Sequence, residues 1–328
     1  MKIYQDYKLI QTVREAEDFR TPKNIFLQCL IFGVVFFFMS LIEGLGTIVI
    51  IFPKLIEFAG NHLADTGSLA DAKISEKITT MFSDPAYTNV MLFCTGLGTL
   101  VVLFFCRVIE DRHFYTMGFS KEKAGIQYIA GLLTGFVMFS CVVGLAWLFG
   151  GLQFEGVQKF SLMILLVLLG FGIQGMSEEV LCRGYFMTTV MRHHHVWLAI
   201  GLNSLFFGLL HASNAGFSLF ALLNLILYAV MISLYTLRTN SLWGACAVHS
   251  IWNFAQGNFY GLPVSGIDSG ESVFKMSLKG SDFINGGAFG LEAGLPTTIV
   301  MTVCICILLF CPLPFVDKKT EETGETEA

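Results

Sequence analysis

An apolar run at residues 25–52, IFLQCLIFGVVFFFMSLIEGLGTIVIIF, decides the fold class of this chain. In a helix that rises about 1.5 Å per residue, such a run is long enough to cross a hydrocarbon core of ~30 Å. It is also far longer than the roughly 7–15-residue apolar core of a cleavable signal peptide. We therefore expect a retained membrane-spanning helix, preceded by a cytoplasmic N-terminal segment at residues 1–24.

Comparable apolar runs follow along most of the chain. Of its 328 residues, 54% are hydrophobic and 14% are charged, and the mean hydropathy is +0.67, whereas a soluble domain has about 25% charged residues. The sequence therefore predicts an all-α, polytopic transmembrane helix bundle of about eight spans, in one membrane domain. The candidate spans are residues 25–52, 89–107, 126–150, 161–190, 197–215, 217–237, 241–257 and 297–316.

The run that begins near residue 161 is longer than one plain crossing requires. Three glycines, Gly170, Gly172 and Gly175, lie near its middle. Helices of excess length tilt or kink in a bilayer. We therefore expect this helix to be tilted, or to be broken near these glycines.

The distribution of Lys and Arg predicts the orientation of the bundle. With the N-terminus in the cytoplasm, 13 of these residues fall in inside segments and 6 in outside segments. Because positive charge accumulates on the cytoplasmic side, we expect both termini inside. Two outside loops, roughly 53–88 and 257–296, are either lids or solvated connectors, and we favour solvated connectors. The retained first helix and the short inside connectors favour a prokaryotic cytoplasmic membrane.

The remaining charged residues and the cysteines limit the choice of partners. The net charge is -5 and no basic stripe follows the sequence, so the expected partner is the lipid bilayer and not nucleic acid. The nine cysteines stand within apolar runs, and none lies in the two long loops. This placement is typical of small buried side chains and does not predict a disulfide framework.

Three charged residues lie at membrane depth in the stretch SEEVLCRGY, residues 177–185. Placing each such charge in the bilayer costs ~2.5–3.5 kcal/mol on insertion scales, so these residues are expected to be paired with one another or to have a function. Glu179 and Arg183 are spaced i, i+4 on a helix and can neutralise each other. Glu178 points about 100° away from Glu179 and has no cation nearby in the sequence. We therefore expect Glu178 to serve as a general base or a general acid.

Two further spans carry polar residues on one helical face. The stretch FGLLH ends in His211, one turn after Phe207, and the stretch HSIWN spaces His249 and Asn253 at i, i+4. If these faces point inward, Glu178 and His211 can hold and deprotonate a water. His249 and Asn253 can then donate hydrogen bonds to the oxyanion of a tetrahedral intermediate. The sequence predicts peptide-bond hydrolysis inside the bilayer.

The motifs Glu-Glu-x-x-x-Arg, Phe-x-x-x-His and His-x-x-x-Asn occur here in this order, each within an apolar span. Together they resemble the CPBP family of intramembrane proteases, which contains the CAAX prenyl endopeptidases and the bacteriocin-processing (Abi) proteins. The resemblance covers about residues 120–257 and implies a glutamic endopeptidase. It implies that Glu178 and His211 activate water and that His249 and Asn253 form the oxyanion hole. The supporting residues are then Glu179, Arg183 and Phe207.

The apolar runs, together with the resemblance over residues 120–257, divide the chain into five segments. The expected segments are an N-terminal cytoplasmic segment at 1–24, transmembrane helices with a long outside loop at 25–119, a catalytic core at 120–257, an outside loop with the last helix at 258–316, and an acidic cytoplasmic tail at 317–328. The implied substrate is a peptide or protein at the membrane. The resemblance does not distinguish a prenylated C-terminal tail from a bacteriocin-type leader peptide as the substrate. No cofactor and no metal are expected.

Two alternatives use the same polar cluster. In the first, the chain is a non-catalytic membrane protein, either an immunity or scaffold factor or a transporter, because intramembrane ionisable residues also mark ion paths. In the second, Glu178, His211 and His249 bind Zn²⁺ in a zinc-dependent membrane protease. The chain has no His-Glu-x-x-His helix, which counts against the zinc alternative.

Overall fold

The computed structural model describes residues 7–17, 19–66, 85–158, 162–268 and 270–311. The helices are α1 (Lys8–Glu15), α2 (Ile25–Thr66), α3 (Pro85–Phe104), α4 (Ala124–Leu148), α5 (Met163–Glu179), α6 (Thr188–His193), α7 (Val196–Leu210), α8 (Leu219–Thr239), α9 (Leu242–Phe254), α10 (Asp282–Asn285) and α11 (Leu295–Phe310). Two short strands, β1 (Leu152–Val157) and β2 (Phe274–Leu278), pair antiparallel. The predicted all-α, polytopic bundle is confirmed.

Within the described residues, five helices are long and apolar enough to cross a membrane: Ile25–Ala64, Tyr87–Ile109, Ala124–Leu148, Met163–His193 and Leu219–Thr239. The helices α7 and α11 are apolar but shorter. Large hydrophobic side chains are exposed on the outer faces, for example Phe26, Phe37 and Leu133. Apolar surface of this kind is stable against lipid tails and not against water, so the chain is an integral membrane protein.

Helix α9 lies at the centre of the bundle, between α4 and α5. Small residues allow this close approach, because a Cβ atom on Gly175 of α5 would lie 2.7 Å from the backbone nitrogen of Ser250 in α9. On the other side, a Cβ atom on Gly131 of α4 would collide with the carbonyl oxygen of Gly244. Nearly every side chain of α9 is buried as a result.

The long helix at the predicted span 161–190 departs from the expectation. The glycine-rich stretch does not break it, since α5 runs from Met163 to Glu179 without interruption. The irregular part comes later, as a π-helical segment at Val180–Met187 that leads into α6. The expected break near Gly170, Gly172 and Gly175 is therefore wrong. Two of these glycines instead allow close packing against another helix, with Leu92 beside Gly170 and Ser250 beside Gly175.

The two predicted outside loops also differ from solvated connectors. Helix α2 continues through Pro53 to Thr66, so the loop expected from residue 53 begins later; residues 67–84 lie outside the described part. The segment 257–296 contains β2, α10 and two 3₁₀ turns at Gly287–Phe289 and Leu291–Ala293. Phe289 and Leu291 are fully buried there. This second segment is packed against the bundle and is not a solvated loop.

Candidate active site

The residues of the three motifs meet around one cavity of about 620 Å³ within the bundle. Helix α5 supplies Glu178, α7 supplies Phe207 and ends just before His211, and α9 supplies His249 and Asn253. The helical period explains this placement, since residues spaced i, i+4 share one face and each of these faces is turned inward. The structure thus brings all four predicted catalytic residues together. Their roles stay predictions.

Glu178 lies between the two histidines. Its Oε2 atom is 3.9 Å from Nε2 of His211 and 3.8 Å from Nε2 of His249. The side chain is 27% exposed, toward the cavity that it lines. These separations exceed a direct hydrogen bond, but they suit contact through one bridging water. The arrangement can hold a water between a carboxylate and an imidazole.

His211 has its orientation fixed by the end of its own helix. Its Nδ1 atom lies 2.9 Å from the carbonyl oxygen of Phe207. Because a carbonyl oxygen only accepts, Nδ1 must carry the proton in this contact. The neutral ring therefore presents an unprotonated Nε2 to Glu178 and to the cavity, and this atom can accept a proton from water.

His249 is held from behind by a buried ion pair. Its Nδ1 atom lies 2.7 Å from Oε1 of Glu179, and the same oxygen accepts a hydrogen bond from Nη1 of Arg183 at 2.9 Å. The side chains of Glu179 and Arg183 are fully buried. The ion pair predicted for Glu179 and Arg183 is present, and it has a second effect, because it fixes the ring of His249 with Nε2 toward the cavity.

Phe207 lies between the ion pair and the histidines. The guanidinium carbon of Arg183 stands 4.5 Å from the centre of its ring, which is a cation–π contact. The same ring is 4.9 Å from that of His211 and 6.0 Å from that of His249, measured between centres. Phe207 thus packs against the guanidinium group of Arg183 and against the imidazole rings of His211 and His249.

Asn253 is linked to Glu178 through a third side chain. Its Nδ2 atom donates to Oε1 of Gln174 at 2.9 Å, and Nε2 of Gln174 donates to Oε1 of Glu178. The sequence analysis did not include Gln174 in the site. One N–H of the Asn253 amide is occupied by this contact, so the other can donate to a bound group.

Two acidic residues of the cavity wall were missed by the sequence analysis. Glu43 lies on α2, in the middle of the apolar run 25–52, and Glu292 lies in the turn before α11. An acid within an apolar run is itself a signal of function, and it could have identified Glu43. Glu292 stands in a segment without periodicity, where the sequence carries no comparable signal. Burial raises the pKa of Glu292, and hydrogen bonds from Ser265 oppose that rise.

A zinc site needs at least three protein ligands arranged around one point. Among the residues that the structure describes, no three His, Cys, Asp or Glu side chains are arranged to hold a metal ion. Oε2 of Glu178 lies 3.9 Å from Nε2 of His211 and 3.8 Å from Nε2 of His249. The geometry gives no support to the zinc alternative.

Comparison with known proteins bears on the part of the chain that carries the motifs. Residues 159–255 match the family model described as type II CAAX prenyl endopeptidase Rce1-like. The chain is thus similar to this CAAX-protease family over less than a third of its length. The match includes all seven residues of the three motifs and is narrower than the expected 120–257. No curated protein and no solved structure is significantly similar to the chain.

Proposed function

We propose that the chain is an intramembrane endopeptidase of the CAAX-protease type, which hydrolyses a peptide bond with a Glu/His-activated water. The observation that carries the proposal is the position of one Glu178 oxygen, 3.9 Å from Nε2 of His211 and 3.8 Å from Nε2 of His249, on the wall of a cavity inside the bundle. The match of residues 159–255 to the protease family supports it.

The proposed reaction begins with a water held between Glu178 and His211. Glu178 takes one proton as the water oxygen bonds to the carbonyl carbon of the substrate, and Nε2 of His211 accepts the hydrogen bond of the other. The carbonyl oxygen becomes an oxyanion. When the C–N bond breaks, the proton held by Glu178 passes to the amine that leaves. Water is consumed, and a carboxyl group and an amine are formed.

The proposed oxyanion hole consists of His249 and Asn253. Asn253 donates through the N–H that Gln174 does not occupy. His249 donates through Nε2, which requires the imidazolium form because its Nδ1–H already points at Glu179. Glu178 and Glu179 are the counter-charges of that form. Each such donor contributes ~10²–10³ in rate in other enzymes.

The test is a comparison of membrane peptides from cells that contain the wild-type chain or Glu178→Gln. This substitution keeps the size of the side chain and removes the base. Peptides with uncut sites should accumulate in the variant and be cut by purified wild-type protein. The matched control is Glu155→Gln, on β1, where the carboxylate pairs with Lys275 away from the cavity.

Two results would contradict the proposal. Cleavage by Glu178→Gln at the wild-type rate would show that Glu178 is not the base. Solute flux through proteoliposomes without cleavage of any peptide would favour the transporter alternative. For the substrate, prenylated and unprenylated versions of one peptide tail should be compared, because the matched family is described as acting on the prenylated class.

A further inference from the structure

A π-helical segment, Val180–Met187, joins α5 to α6 beside the cavity. It carries Arg183, which pairs with Glu179, and it supplies Leu181 and Cys182 to the cavity wall. Where π-helical bonding meets α-helical bonding, the hydrogen-bond register shifts by one residue. Buried carbonyl groups at such a junction therefore need donors from elsewhere in the protein.

Arg112 supplies donors at the end of the π-helical segment. It lies between α3 and α4, outside the family-matched part of the chain, and its side chain is fully buried. Its Nη2 atom donates to the carbonyl oxygen of Gly184 at 3.2 Å, and its Nη1 atom donates to that of Tyr185 at 3.5 Å. Nη1 also donates to the Thr189 hydroxyl at 3.2 Å, and Nη2 donates to the Thr188 hydroxyl. One guanidinium thus contacts four groups at the junction with α6.

The guanidinium of Arg112 is itself held in one orientation. Its Nη1 atom lies 3.3 Å from Oε2 of Glu110. Its Nε atom donates to the hydroxyl of Thr116 at 3.2 Å, and Nη2 donates to the carbonyl oxygen of the same residue at 3.2 Å. The guanidinium carbon stands 3.9 Å from the centre of the Phe19 ring. A lysine would keep the positive charge for Glu110, but it could not reproduce this planar set of donors.

An unbroken series of contacts leads from this junction to the proposed oxyanion hole. Gly184 follows Arg183 directly in the chain. Nη1 of Arg183 donates to Oε1 of Glu179 at 2.9 Å, and the same oxygen lies 2.7 Å from Nδ1 of His249. Nε2 of that imidazole is 3.8 Å from Oε2 of Glu178. Conversion of the π segment to α-helical bonding would turn the residues on one side of it by about 100° relative to those on the other. The register of the segment therefore controls where Arg183 lies.

We propose that Arg112 is a positioning residue of the site: it holds the π-helical register of Val180–Met187 and, through Arg183 and Glu179, the orientation of the His249 imidazole. The inference rests on the proposed function, because the group that is held is a proposed oxyanion donor. Arg112 does not itself line the cavity. It acts only through the residues that lie between it and His249.

The test measures the imidazole and the cleavage rate separately in Arg112→Lys. Full-length protein labelled with ¹⁵N-histidine is studied by NMR in detergent micelles, and the Nδ1 proton signal of His249 is assigned through His249→Gln. Because this proton lies in the hydrogen bond to Glu179, its signal should shift upfield when that bond is weakened. The value of kcat should fall by about 10- to 100-fold, less than for loss of a whole oxyanion donor, with KM changed less than about threefold.

The matched control is Arg107→Lys. Arg107 lies five residues before Arg112 and pairs with Asp111, but its side chain is half exposed. The same substitution there should leave the His249 signal, kcat and KM unchanged. All variants are measured below their melting temperatures, so that a loss of stability alone does not alter these quantities.

A second variant, Thr188→Val, covers the case in which Arg112→Lys does not fold. It keeps the guanidinium and removes a hydroxyl that contacts it and that also donates to the carbonyl oxygens of Gly184 and Tyr185. The His249 signal should shift in the same direction by a smaller amount, and kcat should fall by less than about tenfold. An unchanged His249 signal or an unchanged kcat in folded Arg112→Lys, or in Thr188→Val where the lysine variant does not fold, would overturn the inference. Wild-type protein that cleaves no peptide would refute the proposed function, whereas the NMR comparison would still test whether Arg112 orients His249.

Discussion

Replacement of Asn253 by Ala separates two roles that the geometry gives to this side chain. One N–H of its amide donates to Gln174 at 2.9 Å, and Gln174 in turn donates to Glu178. The second N–H is the proposed donor to the oxyanion. Loss of one oxyanion donor costs about 2.7–4 kcal/mol of transition-state stabilisation, which is ~10²–10³ in kcat. We expect Asn253→Ala to show this loss with KM changed less than about threefold.

The matched control is Gln174→Ala, which removes the link to Glu178 and keeps the Asn253 donor. Its expected loss in kcat is less than about tenfold, the size of one neutral hydrogen bond. Both variants and the double variant are assayed as purified proteins on one peptide that the wild-type enzyme cleaves. Equal losses in the two single variants, with no further loss in the double variant, would refute the reasoning. Asn253 would then act only through Gln174 and Glu178.

Three other predictions test the packing, the ion pair and the absence of a metal role. Gly175→Ala should lower the melting temperature, because the added Cβ atom would lie 2.7 Å from atoms of Ser250. The control Gly144→Ala should leave it unchanged, because nothing lies within 4 Å of a Cβ atom at that position. Equal melting temperatures for the two variants would contradict the packing argument. Glu179→Gln should lower the free energy of unfolding by about 3–5 kcal/mol, because it leaves the charge of Arg183 buried and uncompensated. Denaturation in mixed micelles measures this free energy. Protein treated with a chelator should keep its full rate of cleavage, and activity that returns only when Zn²⁺ is added would restore the zinc alternative.

Hydropathy and helical period account for much of what could be predicted. Apolar runs give the helices because backbone polar groups must be satisfied internally in lipid. The i, i+4 spacing placed Glu179 beside Arg183 and His249 on the same face as Asn253, and both placements are found. These relations depend only on residues within one helix, so one sequence is sufficient to predict them.

The errors arise where the outcome depends on a second helix. Gly175 was read as a possible break, but it is the point at which α5 approaches Ser250 of α9. Pro53 was read as the end of a span, but α2 continues through it, since membrane helices tolerate proline when the freed backbone groups find other partners. No local pattern distinguishes a glycine that breaks a helix from one that permits a close contact.

The cavity also shows why the matched segment is not the whole site. The proposed chemistry lies on Glu178, His211, His249 and Asn253, all within residues 159–255. Other parts of the wall come from α2, through Met39 and Glu43, from α3, through Met91, and from Ser265 and Glu292, which follow α9 in the chain. The wall of the cavity is therefore shared between the matched segment and parts of the chain that the family model does not cover.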